Sequence, residues 1–257
     1  MARKSSVILE TKDLSKFFDG VKALYRANVA VEKGSITLII GPNGSGKTTL
    51  INVISGFYKA DEGRVFFEGN DITNKSPFEI SKLGVVRTFQ IPKALKKLTV
   101  LENVLIAPFG HGDSAFESIT GKWVKKEEEL VERAFKILEF LKLDHLWDRK
   151  AQELSGGQLK LLETARAMMK GAKLLVMDEP IAGVNPVLAE SMLKSFSDMK
   201  KDVSFLIVEH RLDIVLKFVD YAYVMANGMV IAEGDAERVI RDPKVVEVYL
   251  GAQDREA

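Results

Sequence analysis

The sequence predicts an α/β domain carrying an inserted helical subdomain. Three observations carry that prediction. Apolar, strand-like runs alternate with helical stretches near both ends of the chain; a glycine-rich loop joins one strand directly to one helix; and the texture from about residue 91 to residue 153 is helical. With 257 residues, the chain is long enough for one large α/β domain with a substantial core.

Taken in order, 7–11, 21–31 and 35–40 read as strands, 46–57 as a helix, and 65–68 and 85–90 as strands. The stretch 109–123 contains Gly110, Gly112 and Gly121 and reads as an irregular surface insertion. Glu127, Glu128 and Glu129 open a helix well, because carboxylates complement the positive end of the helix dipole. Behind them Leu130, Ala134, Ile137, Leu138 and Leu141 recur at helical spacing and read as a packing face. After Gly157 a helical run through Lys170 meets an apolar strand at 174–177, and strands at 203–208 and 221–225 alternate with further helices. The expected organisation is a single domain, its core formed by 1–90 and 159–257 and its helical subdomain by about 91–158.

Composition narrows the class. Hydrophobic residues make up 46% and charged residues 28%, which rules out wholesale disorder. Thirty-seven basic against 36 acidic residues leave a net charge of +1, so charge gives no case for a nucleic-acid partner. There is no cysteine, hence no disulfide framework, and His111, His145 and His210 are too scattered to predict a zinc cluster. The start of the chain does not read as a signal peptide, and no run of about 18 apolar residues occurs. The expectation is a cytoplasmic protein whose membrane role, if it has one, comes through a partner.

Gly41-Pro42-Asn43-Gly44-Ser45-Gly46-Lys47-Thr48 fits G-x-x-x-x-G-K-[ST] between a strand and a helix, the context this motif requires. Glycines let backbone N–H groups converge on phosphate oxygens, and the helix adds its positive end. Lys47 is expected on the β- and γ-phosphates and the Thr48 hydroxyl on Mg²⁺. The apolar run 174–177 ends in Asp178 and Glu179. A strand tip places Asp178 to hold Mg²⁺ through water, and Glu179 to orient and deprotonate the attacking water. Alone, such an acidic pair could be a solvated turn; the phosphate loop favours the functional reading. Leu154-Ser155-Gly156-Gly157-Gln158 makes a second anion-binding helix start. One nucleotide needs one phosphate loop, so the second cradle reads as a cover for the γ-phosphate held by the other subunit of a head-to-tail dimer.

With these residues in view, the chain resembles the ABC ATPase family along nearly its whole length, through the phosphate loop, Gln90, 154–158, Asp178-Glu179 and His210 in the family's order. The resemblance implies a P-loop NTPase fold with a RecA-like core, an antiparallel β subdomain and the inserted helices. It implies ATP bound with Mg²⁺ by Gly41, Pro42, Asn43, Gly44, Ser45, Gly46, Lys47, Thr48 and Thr49, with Ser155, Gly156, Gly157 and Gln158 supplied across the dimer. By the same resemblance Gln90 contacts Mg²⁺ and the attacking water and links the subdomains, His210 contacts the γ-phosphate, and Phe18, with Phe17 as the weaker substitute, stacks on adenine; a place in the core is the alternative for either ring. Catalysis is then carried by Glu179, His210, Gln90 and Lys47, and the metal by Thr48, Gln90 and Asp178. Where the family usually has Asp, this chain has Asn185.

The stretches 182–186, 86–90, 98–103 and 242–251 are similar to the branched-chain amino acid importer subfamily. That resemblance implies integral-membrane permease partners, an extracytoplasmic solute-binding protein, and a peripheral position on the inner face of the membrane. Apolar residues around Leu95, Leu98 and Leu101, with part of 104–125, are expected to face the permease; for Leu101 packing within the subdomain is an equal alternative. Three rival functions stand against this reading. A GTPase is disfavoured because 74–77 begins like N-K-x-D but lacks the Asp. A soluble ABC ATPase, of the iron–sulfur assembly type, and an importer of another small solute stay open on sequence alone.

Overall fold

The computed structural model describes residues 7–88, 94–108 and 122–247. Two sheets organise the chain. The first is antiparallel, with strands β1 (Val7–Phe18), β2 (Val21–Ala27), β3 (Ala30–Glu32), β5 (Glu62–Phe67) and β6 (Asn70–Asp71). The second has the order β11-β10-β4-β9-β8-β7, where β4 is Ile36–Ile40, β7 Val85–Arg87, β8 Leu174–Asp178, β9 Ser204–Val208, β10 Tyr221–Ala226 and β11 Met229–Gly234. Its neighbours from β10 to β7 pair in parallel, and β11 joins antiparallel at the edge.

The parallel strands are nearly continuous apolar runs, as strands covered on both faces must be. Their alternation divides two cores. Leu38, Leu175, Met177, Phe205, Ile207 and Val224 face one cluster; Ile39, Leu174, Val176, Leu206, Val208 and Met225 face the other. The second cluster also takes in β1, β5 and helix α1 (Lys47–Ile54). The first holds the helices inserted between β7 and β8, α3 (Val100–Leu105) and α4 (Lys122–Phe140), together with α5 (Gly156–Met169) and α6 (Pro186–Met199). The inserted helices thus share a continuous apolar core with one face of the central sheet.

Several boundaries differ from the sequence reading. The first strand runs to Phe18, not Thr11, and pairs with β2 through an Asp19-Gly20 turn with φ of 45° and 85°, a type I′ hairpin. The single strand expected over 21–31 is two, because Asn28 is spent on loop bonds: its Oδ1 accepts from the Asp13 amide at 2.9 Å and its Nδ2 donates to the Arg26 carbonyl at 3.0 Å. The helix expected to open at Glu127 begins at Lys122, so Lys122 and Trp123 are helical and not part of an irregular insertion; 109–121 lie outside the described residues. Helix α5 crosses the expected subdomain boundary between 158 and 159. The short helix α2 (Pro77–Leu83), which the sequence reading passed over, and α3, within the stretch read as helical, each start with a capping box, Ser76 with Glu79 and Thr99 with Glu102.

Candidate nucleotide-hydrolysing site

The loop 41–46 leaves the tip of β4 and opens α1. Parallel β4, β9 and β8 bring three chain segments to the same sheet edge: the loop after β4, Glu209 and His210 after β9, and Asp178 and Glu179 at the end of β8. Between them lies a cleft of about 490 Å³ lined by Asn43 to Thr49, Glu179, Val208 and His210, with 21–23 of β2 and Asn227 on the far side.

Lys47 is buried, and its ammonium donates to the carbonyls of Gly41 (2.7 Å) and Pro42 (2.9 Å). Burial lowers its pKa, while Glu179 and Asp178 pull it back up. Gly46 caps α1 with φ of 100° and no side chain accepts from the first turn, so no cap competes with a phosphate for its amides.

Asp178 is half-buried. Burial raises its pKa, and Arg87, whose Nη2 lies 3.3 Å from Asp178 Oδ2, opposes the rise. Arg87 is held in turn by the Asn52 side chain on α1. Glu179 sits in the left-handed region at φ 49°, uncommon for a residue with a side chain and characteristic of functional turns. Its Oε1 is 3.0 Å from His210 Nε2. The structure therefore joins the candidate base and the candidate γ-phosphate histidine directly. Among the described residues no cluster of three or more His, Asp or Glu could hold a metal unaided. The hard oxygens of Thr48 and Asp178 fit Mg²⁺, which is commonly held by one or two protein oxygens plus substrate phosphates.

Not every expected residue converges. Gln90 lies outside the described residues. Phe18 is not part of the cleft wall; its ring is 38% exposed, meets Tyr58 edge-on at 5.2 Å, and stands cross-strand from Val21, which does line the cleft. The half-buried Phe17 uses its amide to donate to Asp61 at 2.7 Å. The 155–158 stretch is likewise outside the cleft wall. Ser155 and Gly156 are exposed at the start of α5, and the Ser155 hydroxyl and Gln158 side chain form a reciprocal capping box. Gly157 is buried: a Cβ there would fall 2.5 Å from the Leu188 Cδ2 and 3.2 Å from Val184, so a side chain would require the Leu188 rotamer to shift. Asn185 caps α6, its Oδ1 accepting from the Leu188 amide at 2.9 Å. Asn caps as well as Asp, so the local structure is kept while a full negative charge is lost.

Three contributors escaped the sequence reading. The Asn227-Gly228 turn, with φ of 50° and 78°, joins β10 to β11 and braces the phosphate loop, the Gly228 amide donating to the Ser45 carbonyl at 3.0 Å. Its Asn-Gly sequence is a strong hairpin signal and was available to find it. Buried Glu209 accepts from the amides of Ile181 (2.8 Å) and His210 (3.0 Å), and burial raises its pKa. Lys160 on α5 donates to the carbonyls of Glu179 (2.8 Å) and Ala182 (2.7 Å). Neither Glu209 nor Lys160 carried a motif signal.

Comparison with known proteins bears on this geometry. Residues 24–182 match the family model described as ABC transporter, and residues 229–255 match the model of the branched-chain amino acid ATP-binding cassette transporter. The chain is 74% identical, over 97% of each sequence, to the probable branched-chain amino acid transport ATP-binding protein LivG of Archaeoglobus fulgidus. It is 58% identical to the protein of the same description in Methanocaldococcus jannaschii, over 97% of this chain and 99% of that one. Among solved structures, the ADP conformation of an ATP-binding cassette of an ABC transporter superposes with a TM-score of 0.85 at 58% identity, covering 96% of this chain and 100% of the other.

Proposed function

Because the chain belongs to the ABC transporter ATP-binding family, of the LivG type, we propose that it hydrolyses ATP to energise uptake of branched-chain amino acids through separate permease subunits. The observation that carries the hydrolytic part is the convergence of Lys47, Glu179 and His210 on one cleft, with Asp178 beside them, close enough for its charge to act on Lys47. The amino-acid part rests on full-length similarity and on the match at 229–255. Among the described residues no helix is long and apolar enough to cross a membrane, so transport requires membrane partners.

In this reading the amides of 41–46 and the Lys47 ammonium bind and orient the nucleotide phosphates. Glu179 accepts a proton from the attacking water, and His210, hydrogen-bonded to it, steadies the carboxylate and contacts the γ-phosphate. Thr48, Asp178 and Gln90 are the residues that would hold Mg²⁺, whose charge offsets that of the phosphates. Phe18, half-exposed beside Val21, is the ring we assign to adenine. Ser155 to Gln158 belong to the site of a second ATPase subunit in a head-to-tail pair. In the proposed division into a core (1–90, 159–257) and a helical subdomain (about 91–158), whose second boundary α5 crosses, Gln90 is the link between the two. An extracytoplasmic solute-binding protein completes the system, and the ATPase lies on the inner membrane face.

The test is reconstitution of the subunit with its permeases and binding protein in liposomes. ATP-dependent accumulation of labelled leucine, isoleucine or valine is the expected result, absent with Lys47→Ala. ATP-driven transport of a different solute, with none of these three, would overturn the substrate assignment and leave the ATPase assignment standing.

A further inference from the structure

The turn that carries Glu179 is gripped from two sides. From β9, the buried Glu209 carboxylate accepts the Ile181 amide, and the Arg211 guanidinium donates to the Val184 carbonyl at 2.9 Å. From α5, the Lys160 ammonium donates to the carbonyls of Glu179 and Ala182, while the Glu179 carbonyl also accepts from the Ala182 amide at 3.2 Å. Glu179 itself is in the left-handed backbone region, a strained conformation that persists only where the surroundings over-determine it. The side chain of a residue leaves the backbone in a direction set by φ and ψ, so whatever holds this strained turn also aims the carboxylate.

We propose that Lys160 is a positioning residue for ATP hydrolysis: by holding the Glu179 and Ala182 carbonyls it fixes the turn from which the Glu179 carboxylate reaches the attacking water. This rests on the reading of Glu179 as general base. Lys160 lies five residues beyond Ser155, the cap of α5, so the exposed start of α5 and the hydrolytic carboxylate are joined through one rigid element and one ammonium group. A carboxylate misplaced by about 1 Å loses on the order of a hundredfold in rate without losing substrate affinity, because binding is carried by groups Lys160 does not touch.

The experiment is a double-mutant cycle on the full-length protein, with Lys160→Met, Glu179→Gln and the combination, measuring kcat, KM for ATP and thermal midpoint. Lys160→Met is expected to lower kcat about tenfold or more with KM changed less than about twofold. Lys160→Arg, which also carries several donors, should recover kcat to within about threefold. In the Glu179→Gln background Lys160→Met should add less than about twofold, because the group it positions is already gone. Should Lys160→Met fail to fold, Lys160→Gln is read by the same criteria. A kcat within twofold of wild type, or a full additional loss on top of Glu179→Gln, would overturn the proposal. Near-normal hydrolysis by Glu179→Gln alone would instead remove the general base itself and this proposal with it.

Discussion

Two helices of this molecule begin at glycine-rich sequence, and they begin in opposite ways. Helix α1 is capped by Gly46, with no side chain accepting from its first turn, and its loop is braced from the Asn227-Gly228 hairpin. Helix α5 is capped by Ser155 in a complete capping box, and Gly156 has open space around it. Sequence alone makes both look like anion cradles. The structure shows that one cradle is built with its amides uncapped, while the other has closed the Ser155 and Gln158 amides on itself. In the shared-site reading proposed above, the phosphate loop must hold its own chain's nucleotide with donors ready, whereas the start of α5, lent to a partner, must remain stable in the free subunit. In that reading the Gly156 amide, exposed and outside the capping box, is what α5 offers a partner.

The largest test of this contrast strikes the cleft around α1. Glu179→Gln should retain ATP binding yet slow hydrolysis by at least about a hundredfold, since general-base assistance is commonly worth roughly 10²–10⁴. Bound but uncleaved ATP should accumulate as a stable dimer, visible by size-exclusion chromatography with multi-angle scattering. Steady-state turnover near the wild-type rate would remove Glu179 from the role.

The α5 side is probed next. Ser155→Arg in the Glu179→Gln background should leave ATP binding to the monomer intact and weaken ATP-dependent dimerisation at least about tenfold, roughly 1.4 kcal/mol. Ser155→Ala is a gentler version: loss of the cap should cost about 1 kcal/mol of stability, measured by denaturant unfolding, with the phosphate loop untouched. If Ser155→Arg dimerises normally, α5 does not face a partner and the contrast between the two helix starts has another cause.

Bracing of the phosphate loop predicts a smaller effect. A Cβ on Gly228 would fall 2.9 Å from the carbonyls of Lys22 and Ala23, at a φ of 78° that disfavours any side chain. Gly228→Ala should cost about 1–2 kcal/mol of stability and raise KM for ATP, by up to about fivefold, with kcat little changed. An unchanged KM would show that the hairpin only packs beside the loop.

How much of this was legible follows from what each feature depends on. The phosphate loop, Asp178, Glu179 and the α5 start were readable because their residue types and spacing are local. Most strands of the second sheet were readable because strands buried on both faces are nearly continuous apolar runs. Strand ends were not, since the break at Asn28 depends on a bond to Asp13, 15 residues away in sequence. The hairpin at Asn227 and the capping boxes at Ser76 and Thr99 had local signals that went unread. Lys160 and Glu209 had none: a lysine and a glutamate acquire their role only when folding sets α5 and β9 on either side of residues 179–182.

The smallest expected effect on the isolated subunit belongs to the surface assigned to the permease. The segment 95–99 is held from beneath by Asn103, fully buried, whose Nδ2 donates to the carbonyls of Leu95 (3.1 Å), Leu98 (3.3 Å) and Thr99 (2.9 Å) and whose Oδ1 accepts from the Leu95 amide at 2.8 Å. With its shape fixed by backbone bonds, the segment leaves the Leu95 side chain 45% exposed, whereas Leu101 packs against the main core and takes the structural alternative. Leu95→Asp therefore removes no packing that the isolated subunit depends on, and surface changes of this kind usually stay within about 0.5 kcal/mol. Hydrolysis by the isolated subunit should stay within about twofold of wild type, while transport by the assembled complex should fall sharply, because a carboxylate would be driven into an apolar contact. Loss of hydrolysis in the isolated subunit would mean that Leu95 supports the fold or the site. Undiminished transport would move the permease contact to another face.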